Sequence, residues 1–330
     1  MNLEASHVVR KDTSGSRGRA VRRLWSTPAG AFALVGTMAI AFQLWIFARW
    51  VADGGAHAVP HYGYEISTVR AVITVVVQVV IGAVALLTAV VLIRRSRAVG
   101  RVTFDTAMYF GFFLGFWQDP LFNYHRIALT VTHFGANVTT WGPYIPGWHS
   151  PHPELQAETL LTVSCVAYFM LMFWVWPQAA LTMRIARRRP HWRWVRLVAV
   201  SVLIGVCVDI VLEAIWLSTG VFSYAAPVPK LTVFEGHWYG FPLTQPVGAA
   251  ILITPVVMMR HVSQIHATEP WLFRGVDMFA TAWGNILRLL AGIGLANVLL
   301  LAYMVFSGLV NLTGGPIPAD TPSYLWPSQP

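Results

Sequence analysis

Charge is scarce in this sequence: only 11% of its 330 residues are Asp, Glu, Lys or Arg, against about 25% in soluble domains. A surface that must face water on all sides is excluded. Cysteine is almost absent. Cys165 and Cys207 both sit in apolar runs without Cys-x-x-Cys spacing, which excludes a disulfide framework and a cysteine zinc site and leaves them as packing residues. Lysine occurs only as Lys11 and Lys230, neither in an apolar run, so a retinal Schiff base within a helix is excluded. No Asp-Asp-x-x-Asp segment is present to hold magnesium and a diphosphate. Walker loops, Rossmann glycine patterns and Gly-x-Ser-x-Gly elbows are also missing. No internal repeat is visible, so an inverted-repeat transporter plan has no support.

What remains is apolar. Hydrophobic residues make up 56% of the chain and the mean hydropathy is +0.57, which places the protein in lipid. Crossing the hydrocarbon takes about 20 apolar residues, and seven segments qualify: 30–51, 68–93, 105–124, 157–183, 194–218, 243–260 and a long stretch within 276–310. In the last, Trp271, Leu272 and Phe273 with Asp277 and Trp283 read as an interfacial element before a span beginning near Asn285. The expectation is therefore an all-α integral membrane protein of about seven transmembrane helices. Its single helical domain would cover 30–310, between a basic N-terminal segment (1–29) and a C-terminal tail (311–330). The first 25 residues and the tail from Pro316 read as mobile.

The net charge of +9 comes from short basic clusters between the apolar runs. Anionic headgroups and the positive-inside rule account for these, and no nucleic-acid partner is expected. The clusters around Arg22 and Arg23, Arg94 to Arg101, Arg184 to Arg196, and Arg260 with Arg274 fall on alternate connections. This predicts a multi-pass protein of the cell membrane with a cytoplasmic N-terminus and an external C-terminus. The first apolar run is too long for a signal-peptide core, so the motif Ala56-His57-Ala58 is read as part of an uncleaved chain. Two outward connections, 126–156 and 219–242, are long, rich in Trp, Tyr, Pro and Gly, and poor in charge. They are expected to fold back as ordered caps over the bundle mouth.

Ionisable groups inside apolar spans are costly and mark function by default. Asp119, Asp209 and Glu213 fall at a shared depth in the outer half, and Glu158 opens the fourth span from the same side. Asp209 and Glu213 are spaced i, i+4, one above the other on one helix face, with Trp216 three residues on. Two carboxyls this close do not both ionise readily, so one can serve as acid and the other as base or cation stabiliser. The bland alternative is that they brace an arginine. Pro120 breaks the helix beside Asp119, which turns Asp119, Asn123 and Tyr124 toward a pocket, or else simply ends the helix at the interface. Arg288 lies deep in the last span on a stripe with Gly284, Gly292 and Ala296. It is expected to form a structural ion pair with one of the acids above.

In the outer connections Glu235, His237, Trp238 and Tyr239 cluster in sequence. The run from His149 through His152 to Glu154 is broken by prolines and lacks zinc-site spacing, so no metal and no cofactor are expected. The chain carries 15 Trp, 18 Phe and 10 Tyr. A cavity lined by Trp117, Trp141, Trp216, Trp238 and Tyr239 would suit a cationic intermediate, although many of these rings serve as interfacial belts.

Four stretches carry a family likeness. Trp117-Gln118-Asp119-Pro120 with Asn123-Tyr124, the run from Trp141 to Trp148, and Asp209-x-x-x-Glu213 followed by Trp238-Tyr239-Gly240-Phe241-Pro242-Leu243 together resemble the AveC-like spirocyclase family. The likeness spans the first helix to the sixth. It implies a membrane-embedded, cofactor-independent cyclase of natural-product biosynthesis, in the founding case forming a spiroketal from a dihydroxy-ketone polyketide. Bacterial membrane cyclases of prenylated indoles are similar in size and helix count, which keeps proton-initiated terpene cyclisation as an alternative. A proton-coupled transporter or lipid-binding protein is the non-enzymatic one. The expected partners are a lipophilic small molecule and membrane lipids, with the oligomeric state left open.

Overall fold

A computed structural model describes residues 26–327. Most of the basic N-terminal segment expected to be mobile lies outside the described residues. Seven α-helices are present among them: α1 (Pro28–Ala52), α2 (Thr68–Val99), α3 (Phe104–Phe113), α4 (Leu171–Arg188), α5 (Trp194–Thr219), α6 (Thr244–Ile265) and α7 (Thr281–Asn311). Counting the 3-10 turn Cys165–Met170 that leads into α4, all but α3 are long and apolar enough to cross a membrane. The fold is that of an all-α membrane protein.

Local chemistry sets the ends. Thr27 caps α1 by accepting from the Gly30 amide at 3.2 Å, with Pro28 in the first turn. Ser67 does the same for α2, which closes on Gly100 at φ 73°. The third expected span is a correction in detail. Helix α3 has ten residues, about 15 Å at ~1.5 Å per residue, half of the ~30 Å hydrocarbon depth. The chain then continues as a 3-10 segment, Phe116–Asn123, with Pro120 inside it. The fourth span begins later than expected because residues 157–164 are already committed. Ala157–Thr159 forms a strand, and Thr159 Oγ1 accepts from the amides of Val163 and Ser164, both at 3.0 Å.

The seam that holds the bundle runs along α7. Gly292 meets the backbone of Ala107 in α3, and Gly294 meets that of Phe32 in α1. Any side chain there would enter a neighbouring main chain, so only glycine permits these approaches. The arginine-bearing connections gather at one end, where Arg101 pairs with Glu269 and Arg260 reaches Asp105 at 3.1 Å.

The opposite end carries the two long connections, folded as ordered caps. With residues 157–159, which extend the first of them, they contain six short strands in three antiparallel pairs: β1 (Leu129–Val131) with β4 (Phe222–Tyr224), β2 (Asn137–Thr139) with β3 (Ala157–Thr159), and β5 (Thr232–Val233) with β6 (Phe241–Pro242). The β1–β4 ladder joins one cap to the other. The described part of the tail is packed: Tyr324 and Leu325 are 4% and 0% exposed, and the Tyr324 carbonyl accepts from the His133 amide at 2.8 Å.

Candidate active site

Beneath the caps lies a cavity of about 140 Å³, lined by residues from the 3-10 segment, α4 to α7 and the β1–β4 ladder. Asp119, Asp209 and Glu213 all reach it. The sequence places these acids on two separate elements, and the fold brings them to one apolar chamber.

Asp119 is held by both oxygens. Ser164 Oγ donates to Oδ2 and the Tyr168 hydroxyl to Oδ1, each at 2.7 Å. The break at Pro120 makes this possible, because a 3-10 turn lets the carboxyl face the start of α4. Glu158 lies against Asp119 and accepts from Thr140 Oγ1 at 2.6 Å, while its Oε2 has no hydrogen-bond partner among the described residues. Burial first, and the Asp119 charge second, push the Glu158 carboxyl well above the usual carboxylate range. Glu158 therefore stands behind Asp119 as its partner, on strand β3 and not at a helix start.

The second pair is built on α5. Asp209 is 2% exposed, and its Oδ1 accepts from the Trp174 indole at 2.7 Å. Its Oδ2 has no hydrogen-bond partner among the described residues. One turn further, Glu213 Oε2 accepts from the Tyr224 hydroxyl at 3.1 Å. Burial, and then the Glu213 charge, hold the Tyr224 phenol well above its ordinary range, so it acts as a donor. Trp174, Trp216 and Tyr303 complete the aromatic lining, and the Tyr303 hydroxyl donates to Gln245 Oε1 at 2.5 Å.

A family described as Spirocyclase AveC-like matches residues 99–326. The chain belongs to the AveC-like spirocyclase family. The matched stretch contains every element that lines the cavity, and the function that membership carries is of the spirocyclase type. No curated protein matches the chain, and no solved structure does.

Several residues singled out from the sequence lie elsewhere. Trp117, within the 3-10 segment, and Trp141, in the first cap, turn toward α1, packed edge-on against Phe42 and Phe47. Their indole N–H groups are consumed by Asn297 Oδ1 and the Trp117 carbonyl, both at 2.8 Å. Asn123 clamps the start of the first cap: its Oδ1 accepts from the Ala128 and Leu129 amides and its Nδ2 donates to the Leu129 carbonyl, all at 2.9 Å. The Tyr124 hydroxyl donates to the Pro146 carbonyl at 2.9 Å. None of these four lines the cavity.

The Glu235 to Tyr239 group braces the surface of the second cap. Glu235 accepts from the Lys230 amide at 3.2 Å, His237 pairs with Asp320 at 2.9 Å, Trp238 lies under Arg70, and Tyr239 stacks on His237. Arg288 forms an ion pair, but with Glu269 at 2.8 Å at the arginine-bearing end, and not with the cavity acids. Among the described residues no three His, Cys, Asp or Glu side chains are grouped to hold a metal ion. Sequence reasoning missed Trp174, Tyr168, Tyr224 and Tyr303. For the first two a signal exists, since an aromatic with a polar tip at the depth of buried acids is a natural hydrogen-bond partner for them.

Proposed function

We propose that this protein closes a spiroketal from a lipophilic dihydroxy ketone by proton transfer to and from the cavity carboxyls, acting in the cell membrane with its arginine-bearing end toward the cytoplasm. The net reaction is loss of one water with no change of oxidation level, so the chemistry itself calls for no redox cofactor. In the first half, one substrate hydroxyl adds to the ketone carbon. The carbonyl oxygen takes a proton from a carboxylic acid and the adding hydroxyl gives one to a carboxylate, leaving a hemiketal. In the second half, the hemiketal hydroxyl is protonated and leaves as water, giving an oxocarbenium ion. The second hydroxyl attacks that carbon and loses its proton to a carboxylate, which closes the second ring.

Each half needs one acid and one base at the same place, and returns the protein to its starting protonation. Carboxyls one helical turn apart meet that need, because like charges at one site favour a shared proton. Asp209 Oδ2, with no partner of its own, is the atom available to a substrate hydroxyl. Asp119, fixed by Ser164 and Tyr168, faces the developing positive charge as a preorganised electrostatic partner. Desolvated ring faces such as those of Trp174 and Trp216 add about 0.5–2 kcal/mol each.

The single observation that carries this reading is that Asp119, Asp209 and Glu213 line one aromatic cavity. Family membership favours oxygen-ring closure over terpene cyclisation or transport. Spiroketals also form spontaneously in acid, so the decisive assay is stereochemical. Purified protein in detergent micelles, given a dihydroxy ketone and no ion gradient, should yield one spiroketal epimer faster than buffer does. An epimer mixture formed at the buffer rate would overturn the proposal.

A further inference from the structure

The cavity is small for a lipophilic substrate. At about 140 Å³ it is of the size that accepts a single benzene-like ring, enough for the reacting ketone and a closing ring but not for a long hydrocarbon. Next to it, on the other side of Met304, runs a groove of about 470 Å³ lined by Phe42, Leu121, Leu301, Met304, Gly308 and Leu312, among others. Met304 lines both spaces. It is 3% exposed, and an unbranched thioether is the side chain best able to rearrange as a partition.

The groove follows one face of α7 from Leu301 to Leu312, about 16 Å at ~1.5 Å per residue. No Asp, Glu, Lys or Arg lines it, and its polar rim is confined to Tyr124 and His125. Gly308 sits in its floor, and a Cβ added there would meet nothing within 4 Å. The space at this point is open, in contrast to the close approaches at Gly292 and Gly294 on the same helix. Leu301, Val305 and Leu309 beside it are 46%, 53% and 63% exposed, so the groove opens toward lipid.

We infer that this groove is the subsite for the uncharged hydrocarbon tail of the substrate, with Met304 as the divider past which the ketone head enters the carboxyl chamber. This rests on the cyclase reading above and adds to it where the rest of the substrate lies and which residues set the tail length. A tail held there would leave the substrate in the bilayer throughout, with only its polar head withdrawn into protein.

The test uses the full-length protein in micelles. Gly308→Phe projects a ring into the groove from a position where a Cβ meets nothing within 4 Å, Leu309→Trp is a second plug at an exposed position, and Leu203→Trp, on an exposed face of α5 outside the groove, is the control. Two substrates are compared, a long-chain dihydroxy ketone and the same head without the tail. Both plugs should raise KM for the long substrate at least tenfold and change the short one less than twofold, with Leu203→Trp unchanged. Equilibrium binding of a long-chain ketone lacking both hydroxyls gives a readout free of turnover: wild type and Leu203→Trp should bind it alike, and the plugs tenfold more weakly. Plugged variants that bind this analogue as tightly as wild type would mark the groove as ordinary lipid-facing surface and overturn the inference. Retained, plug-sensitive binding in a protein that forms no spiroketal would support the subsite and sink the cyclase reading alone.

Discussion

The sharpest perturbation is at Asp209, because its two oxygens have different surroundings. Oδ1 accepts from the Trp174 indole at 2.7 Å, and Oδ2 has no hydrogen-bond partner among the described residues. Asp209→Asn keeps an acceptor for Trp174 and nearly the same shape, but removes the oxygen proposed to exchange a proton with substrate. Loss of a positioned acid or base costs about 10²- to 10⁴-fold in rate, which is roughly 3–5 kcal/mol of barrier at 1.36 kcal/mol per tenfold. Stability should change by no more than about 1 kcal/mol, since the new amide faces the cavity and Glu213 one turn away. Asp209→Ala removes both functions. It leaves a buried indole N–H unpaired, a further cost of about 1–3 kcal/mol, so its Tm should fall below that of Asp209→Asn. The assay is single-epimer spiroketal formation in micelles, paired with thermal unfolding of the three proteins. If Asp209→Asn turned over within threefold of wild type, or melted with Asp209→Ala, the division of labour between the two oxygens would be wrong.

Two further outcomes follow from the fold. His133, 5% exposed in the first cap, has its pKa lowered from 6.5 to about 4, chiefly by burial. The folded protein holds it neutral while the unfolded chain protonates near 6.5, so stability is intact above that pH and is lost between about 6.5 and 4, by roughly 3 kcal/mol at 1.36 per unit. His133→Gln should flatten Tm against pH across that window, and an unchanged slope would refute the assignment. Gly294→Ala forces a methyl against the backbone of Phe32 and should destabilise by about 1–3 kcal/mol, whereas Gly308→Ala on the same helix should not. Equal Tm values for the two would contradict the close approach of α1 and α7.

The six long apolar helices are legible because hydrophobic length is a local property of the chain. The Asp209 and Glu213 pair was legible for the same reason: helical periodicity alone stacks them. Asp119 could be picked out by the proline beside it. Glu158 was misplaced because an apolar, β-branched run after it reads as helix, while the actual strand depends on β2, some twenty residues away. Chemistry that every tryptophan shares points Trp117 and Trp141 toward the chamber. Their turn toward α1 instead is a contact no local pattern encodes. The Arg288 partner is hidden for a similar reason, since Glu269 sits in a connection outside the apolar runs that carry the intramembrane acids. Tyr224 and Tyr303 enter the chamber from a cap strand and the last helix, and only the assembled bundle brings them to Glu213 and Gln245.

The ladder between Leu129–Val131 and Phe222–Tyr224 has a consequence for solvent. Its own side chains Leu129, Phe222 and Tyr224 form part of the chamber wall, so the roof is stitched across by main-chain hydrogen bonds and is not a set of side chains free to swing. Neither connection can peel away without unzipping its neighbour. In the proposed reaction, water adding to the oxocarbenium ion would return it to the hemiketal, and a stitched roof opposes that intrusion from the cap side.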